Sequence, residues 1–146
     1  MKRLLFIPIL ALFTACGESN FAISVVMDGE LWESNQYASG RITDQDVLLL
    51  NGFNRTFLPV SLAIRDYAYP GTYPLDSLNN SFLFGLNTNN GYFSRESKPG
   101  LVTIESFTPA GVRGGTIVGQ FSLTAFNNSG DSLVVRNGKF NVTLSE

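Results

Sequence analysis

Apolar and polar residues alternate with a period of two along most of the chain, which is the pattern of half-buried β-strands. The longest such segment runs from residue 117 to residue 125. Its apolar face carries Ile117, Gly119, Phe121, Leu123 and Ala125, and its polar face carries Gln120, Ser122 and Thr124. We therefore expect Phe121 to point into the core and Ser122 to point into solvent.

Shorter segments repeat the pattern and are separated by turn residues. Residues 21–27 alternate, and Asp28-Gly29 predicts a type I′ hairpin turn before Leu31 and Trp32. Residues 58–64 also alternate, and we expect them to pair with the apolar run 47–50, which comes just before Asn51-Gly52. Residues 67–74 and 111–115 are rich in Gly, Pro or Tyr and are interpreted as loops.

One further hairpin and two later segments complete the pattern. Residues 82–86 alternate, and the loop 87–91 returns the chain into Tyr92 and Phe93. A strand opens at residue 102 and ends near Pro109, and the last segment, 133–144, is interrupted by Asn137-Gly138. We interpret that interruption as a β-bulge that needs a positive φ.

The fold class follows from the number of strands and the lack of helical segments. We count roughly eight to ten short strands and no helical segment long enough to act as a crossover. The prediction is an all-β domain, a single antiparallel β-sandwich or flattened barrel. The pattern alone does not choose between these two closures.

The N-terminus has the order of a bacterial lipoprotein signal. Lys2 and Arg3 precede an apolar run over residues 4–13, and two small residues then lead to Cys16, the only cysteine. The run is shorter than the ~20 residues of a membrane-spanning helix, so it predicts a cleaved signal. In lipoprotein maturation the thiol receives diacylglycerol, the chain is cut before it, and the new amine is acylated. The alternative is an ordinary signal peptide with an incidental cysteine.

This interpretation divides the chain into three parts. Residues 1–15 are the signal peptide, 16–20 the lipidated N-terminus with a short tether, and 21–146 the β-domain. Gly17 stands where aspartate would retain a proteobacterial lipoprotein in the inner membrane, so we expect an outer-membrane lipoprotein, on the periplasmic or the cell-surface side. Its mature formal charge is −4, from 8 basic and 12 acidic side chains. Nucleic acid is not an expected partner, because phosphate binding needs basic clusters.

Several segments together resemble a known group of proteins. They are Asp28-Gly29-x-x-Trp32, Gly71-Thr72-Tyr73-x-Leu75, Gly119-Gln-Phe-Ser-Leu-Thr-Ala and Asn137-Gly-Lys-Phe-Asn-Val. With residues 13–16, a lipobox in which Phe13 takes the place of the usual leucine, valine or isoleucine, they make the chain similar to small uncharacterised outer-membrane lipoproteins of Bacteroidetes-type bacteria, a family of unknown function. The resemblance implies a location and a fold, but no activity and no site residues.

The residues for common catalytic chemistry are missing from the sequence. The chain has no histidine, which excludes His-based triads and the usual zinc sites, and lipidation would occupy Cys16. The glycines of residues 111–115 lack the lysine of a phosphate-binding loop. We predict no catalytic residue, no metal and no cofactor.

The closest carboxylates are Asp44 and Asp46. They do not continue into a calcium-loop pattern, so a solvated turn is favoured over a calcium ligand. A carboxylate pair is also what a small hydrolase would need.

Three of the five tyrosines, Tyr67, Tyr69 and Tyr73, lie close together beside Pro70 and Pro74. Flat rings on a stiff loop are suited to stack on a glycan or to anchor a partner protein. The alternative is that they cap the core.

Two tripeptides, Asp76-Ser77-Leu78 and Asp131-Ser132-Leu133, match a permissive Asp-Ser-apolar acceptor sequence for O-glycosylation. The match predicts modification at Ser77 and Ser132, although so short a match also arises by chance.

The functional hypothesis is a lipid-anchored cell-envelope β-domain that binds a glycan or an envelope protein, or acts as an accessory subunit, without catalysis. The alternatives are a small carboxylate-dependent hydrolase and a lipocalin-like carrier of an apolar ligand. A carrier would need an open apolar interior.

Overall fold

A computed structural model describes residues 22–34, 38–86 and 89–145. Cys16, the signal segment and the tether lie outside these residues. Within the described ranges the structure contains no helix with the length and hydropathy of a membrane span.

The described residues form eleven β-strands. These are β1 Ile23–Met27, β2 Glu30–Glu33, β3 Ala38–Ile42, β4 Leu48–Phe53, β5 Pro59–Ile64, β6 Gly71–Leu75, β7 Asn80–Phe84, β8 Tyr92–Phe93, β9 Gly100–Ala110, β10 Gly114–Phe126 and β11 Ser132–Leu144. The prediction of an all-β fold is confirmed, and the strand count slightly exceeds the predicted range.

The strands form one large sheet folded into two layers. One layer has the order β2-β1-β11-β10-β9-β6 and the other the order β3-β4-β5-β7-β8. The layers join at two corners, where Leu144 of β11 pairs with Gly40 of β3 and Phe126 of β10 pairs with Phe93 of β8. Among the described strands, the first corner is the one parallel pairing, so the sheet is not purely antiparallel.

The first two predicted pairings are confirmed. Asp28 and Gly29 have φ values of 49° and 87°, as a type I′ turn requires, and they join β1 to β2. Strand β4 pairs with β5 as expected. Strand β4 extends beyond the apolar run, because Asn51 and Gly52 continue it and the turn follows at residues 54–58.

Two strands, β3 and β6, were not expected from the sequence. β3 has little apolar alternation, and backbone pairing with β4 holds it in place. β6 lies in the stretch interpreted as a loop and forms an edge strand paired with β9. Its Pro74 has no N–H to donate, which a sheet edge tolerates.

The core is built on a reciprocal contact between β10 and β11. Gly119 pairs with Phe140, and Phe121 pairs with Gly138. A Cβ on Gly138 would lie 2.6 Å from Cζ of Phe121, and a Cβ on Gly119 would collide with the ring of Phe140. Each ring therefore uses the space that the opposite glycine leaves free.

The ring of Phe121 also reaches the second layer. Its centroid lies 5.9 Å from that of Phe82 in β7 and 6.4 Å from that of Phe140. All three rings are buried. The predicted bulge is confirmed beside them, with Asn137 at φ 51° and a register shift opposite residues 121–123.

Replacing Phe121 by alanine should lower the free energy of unfolding by about 3 to 5 kcal/mol, because it removes the ring that joins the two layers and leaves a cavity. Ser122→Ala is the matched control, since Ser122 is the exposed neighbour, and it should change stability by less than about 0.5 kcal/mol. Urea denaturation of both variants measures the difference. Equal losses would contradict the assignment of faces.

Candidate functional site at the tyrosine end

Three turns that are distant in sequence meet at one end of the domain. They are residues 43–47 between β3 and β4, residues 65–70 between β5 and β6, and residues 111–113 between β9 and β10. Arg113 forms an ion pair with Asp44, and the hydroxyl of Tyr67 donates to Oδ1 of Asp46 at 2.5 Å. We call these three turns the tyrosine end.

Backbone geometry positions the two carboxylates. Thr43 N–H donates to the carbonyl of Val47 at 2.9 Å, and Val47 N–H donates to Oγ1 of Thr43 at 3.2 Å. Asp46 adopts a φ of 59°, a conformation that aspartate tolerates better than most residues. This closed turn presents Asp44 to Arg113 and Asp46 to Tyr67.

Tyr67 belongs to the core, with only 6% of its surface exposed. Its ring meets Phe107 edge to face, with centroids 5.3 Å apart and planes at 86°. Burial, together with the hydrogen bond to the carboxylate of Asp46 and its negative charge, raises the pKa of Tyr67 to about 12. Of the alternatives set out for this residue, the structure places it as a core cap.

The other two tyrosines have different surroundings. Tyr69 is 75% exposed. Tyr73 is half-buried, and its hydroxyl donates to the carbonyl of Tyr69 at 2.9 Å. Tyr67 therefore does not share an exposed face with the other two rings, and Tyr69 is the most exposed of the three.

Asn80 fixes the start of the turn 65–70, and the sequence pattern does not identify it. The side chain is fully buried; its Oδ1 accepts from the N–H of Arg65 at 2.9 Å, and its Nδ2 donates to Asp66 and to the carbonyl of Pro74. Alternation marks apolar positions, so it gives no signal for a polar group that is buried because its hydrogen bonds are satisfied.

The remaining sequence candidates are two serines outside the three turns of the tyrosine end. Ser77 is exposed in the turn 76–79, with a φ of 83°, and Ser132 is exposed at the start of β11. In the part of the chain that the structure describes, no three His, Cys, Asp or Glu side chains are grouped to hold a metal.

A concave feature joins the first hairpin turn to the bulge. It is an open cleft of about 500 Å³, lined by Val26, Asp28, Gly29, Val134, Arg136 and Asn137. Asp28 also caps β11, because its Oδ1 accepts from Val134 N–H at 2.8 Å. The sequence identified the turn and the bulge separately, but only the pairing of β1 with β11 brings them together.

Stability should depend on pH through Tyr67. The unfolded tyrosine ionises near pH 10, whereas the folded one keeps its proton to about pH 12. The free energy of unfolding should therefore fall as pH rises from 10 to 12. Tyr67→Phe has no hydroxyl to ionise, so its free energy of unfolding lacks this pH dependence. It also loses one hydrogen bond, which should lower its stability by about 1 kcal/mol at pH 7.

The measurement is urea denaturation of both proteins from pH 7 to pH 12. We expect the advantage of the unsubstituted protein to shrink above pH 10 and then reverse. Asp46→Asn is the control, because it removes the negative charge and should move the transition toward pH 10. A difference that stays constant over the whole range would contradict this account of Tyr67.

Residues 19–142 match the model of a family described as a domain of unknown function, DUF6252. No curated protein and no solved structure matches the chain. The expectation that the chain comes from a family of unknown function is confirmed, whereas its lipoprotein type remains a prediction. The match covers most of the chain, which therefore belongs to the DUF6252 family.

Proposed function

We propose that this protein is an outer-membrane lipoprotein whose β-domain works by binding a glycan or an envelope protein and not by catalysis. The observation that carries the anchor is Cys16, the only cysteine, placed directly after a basic start, an apolar run and two small residues. Lipidation gives this thiol a use in an exported chain that has no disulfide partner.

The carboxylates at the tyrosine end support a binding role over hydrolysis. Asp44 is paired with Arg113, and Asp46 accepts the hydroxyl of Tyr67. A hydrolytic pair needs one protonated and one ionised carboxyl facing a common substrate. Asp44 and Asp46 are instead each held by a side chain of the domain itself, Arg113 and Tyr67.

The interior does not favour the carrier alternative. A carrier needs an apolar cavity, whereas Phe82, Phe121 and Phe140 pack against one another between the two layers. Their mutual contacts occupy the space that a ligand of the lipocalin kind would enter.

The tyrosine end is the recognition surface of the proposal, with Tyr69 as its exposed ring. The segment that carries Tyr69 is held in place by its neighbours. Tyr67 packs on Phe107, and the carbonyl of Tyr69 accepts a hydrogen bond from the hydroxyl of Tyr73. A loop that is already ordered loses less conformational entropy when it binds. An exposed tyrosine on such a loop is a typical binding anchor.

The anchor is tested by replacing Cys16 with serine in the native host and labelling with radioactive palmitate. We expect label in the unsubstituted protein and none in Cys16→Ser, which should also remain uncut. Gly17→Ser is the matched control, since it alters the neighbouring residue and keeps the thiol. Equal labelling of Cys16→Ser would contradict the proposed anchor.

The acceptor sequences predict glycans at Ser77 and Ser132. The intact mass of protein purified from its native host should exceed that of the lipidated chain, and Ser77→Ala and Ser132→Ala should each remove one glycan mass. Both hydroxyls are exposed, so a transferase reaches them without unfolding the domain. A mass equal to that of the lipidated chain alone would count against both sites.

A further inference from the structure

We infer that one rim of the domain rests on the lipid surface of the membrane that holds the anchor. This apolar rim consists of Leu31, Phe57, Leu58 and Leu86. The inference rests on the proposed lipidation of Cys16 and adds an orientation and a lipid contact to it. With the apolar rim on the membrane, the tyrosine end is held away from the lipid and is accessible to partners.

The four side chains are large, apolar and exposed. Phe57 is 70% exposed, Leu86 72% and Leu31 64%. Gly85 N–H donates to the carbonyl of Pro59 at 3.0 Å, which places the segments that carry Leu58 and Leu86 side by side. An isolated exposed leucine is ordinary, but a contiguous apolar group on a monomer marks an interaction surface.

Contacts between β2 and β4 bring Leu31 to the same rim. The structure places Ser34, just after β2, against Gly52 of β4, because a Cβ on Gly52 would lie 3.0 Å from the Cβ of Ser34. Leu31 lies in β2, before this contact, and Phe57 lies after it, in the turn 54–58 that follows β4. The rim therefore runs along neighbouring segments.

The backbone of the turn 54–58 holds Phe57 in solvent at an energetic cost. Phe57 has a φ of 57°, which is an outlier for a bulky residue. Asn54 stabilises the turn: its Oδ1 accepts from the N–H groups of Thr56 and Leu58 at 3.1 and 2.9 Å, and its carbonyl accepts from Phe57 N–H. A strained backbone that displays an aromatic ring to water points to a binding use for that ring.

The length of the tether fits this rim. Cys16 precedes Ala22 by six residues, which span at most about 20 Å when fully extended. Leu31 pairs with Val26, four residues after Ala22 and about 13 Å along β1. A lipid on Cys16 therefore reaches the plane of the apolar rim with length to spare.

The tyrosine end lies farther from Ala22 along the strands than the apolar rim does. The carbonyl of Ala22 accepts from Asn141 N–H. From there, the route to the turn 43–47 follows β11 to Leu144 and then β3 from Gly40 to Thr43, six residues or about 20 Å. Lipid contact at that end would require the tether to be fully extended.

The test attaches the lipid chemically. The chain from Cys16 to Glu146, which includes every described residue, is coupled through its single thiol to a maleimide lipid in phosphatidylcholine vesicles. Zwitterionic lipid is chosen because Glu30 and Glu33 lie in the same strand as Leu31. Leu86→Trp reports on the apolar rim, and Val112→Trp, at a position 93% exposed in the turn 111–113, is the matched control at the tyrosine end.

The readout is tryptophan fluorescence with and without brominated phosphatidylcholine, after subtraction of the signal of buried Trp32. We expect bromine to lower the Leu86→Trp emission about twofold, and to change the Val112→Trp emission by less than about a tenth, because a ring within the lipid interface meets the quencher. Equal circular dichroism spectra confirm that both variants are folded.

Quenching of Val112→Trp equal to that of Leu86→Trp would overturn the orientation, and so would no quenching of either. The second result would leave a protein partner as the occupant of the rim. Because the lipid is supplied chemically, these outcomes do not depend on lipidation in the cell. Palmitate labelling of Cys16→Ser tests that separately, so the two proposals fail in distinguishable ways.

Discussion

The structure depends on two phenylalanines that each lie over a glycine of the neighbouring strand. Phe121 and Phe140 take the space above Gly138 and Gly119, and a Cβ at either glycine would collide with a ring. Interiors pack at near-crystalline density, so a ring of this size needs a position without a side chain opposite it. The reciprocal pairs fix the register of β10 and β11, which are the two longest of the described strands. Each of these strands forms one of the two corners.

That register determines what the rest of the molecule can do. Because β10 and β11 each also pair with a strand of the other layer, the two layers close around the phenylalanines. The residues that could bind a ligand therefore lie at the surface. The tyrosine end is then assembled from three separate turns, with Asp44 and Asp46 engaged by Arg113 and Tyr67. An ordered surface over a filled core suits recognition better than turnover, and this is why we propose a binding role.

The two exposed surfaces have different chemistry and different relations to the N-terminus. The apolar rim is near Ala22, where the chain enters the sheet, and the tyrosine end is farther along β11 and β3. Under the proposed anchor this difference matters, because the side of a tethered domain that can face the membrane is limited by how far the tether extends. The apolar rim is therefore the proposed lipid contact, and the tyrosine end is the proposed surface for a partner.

The sequence by itself determined the all-β class, the first hairpin with its positive φ values, the pairing of β4 with β5, the bulge at Asn137 and the inward face of β10. These features are local: period-two alternation and turn residues act through the few residues around them. Local signals do not identify β3 or β6, which form because neighbouring strands supply hydrogen bonds. Only the tertiary structure decided that Tyr67 is buried while Tyr69 is exposed, that Asn80 is a buried anchor and that exposed apolar residues from three separate segments lie at one rim. Each of these depends on contacts between residues far apart in the chain, and such contacts leave no periodic trace in the sequence.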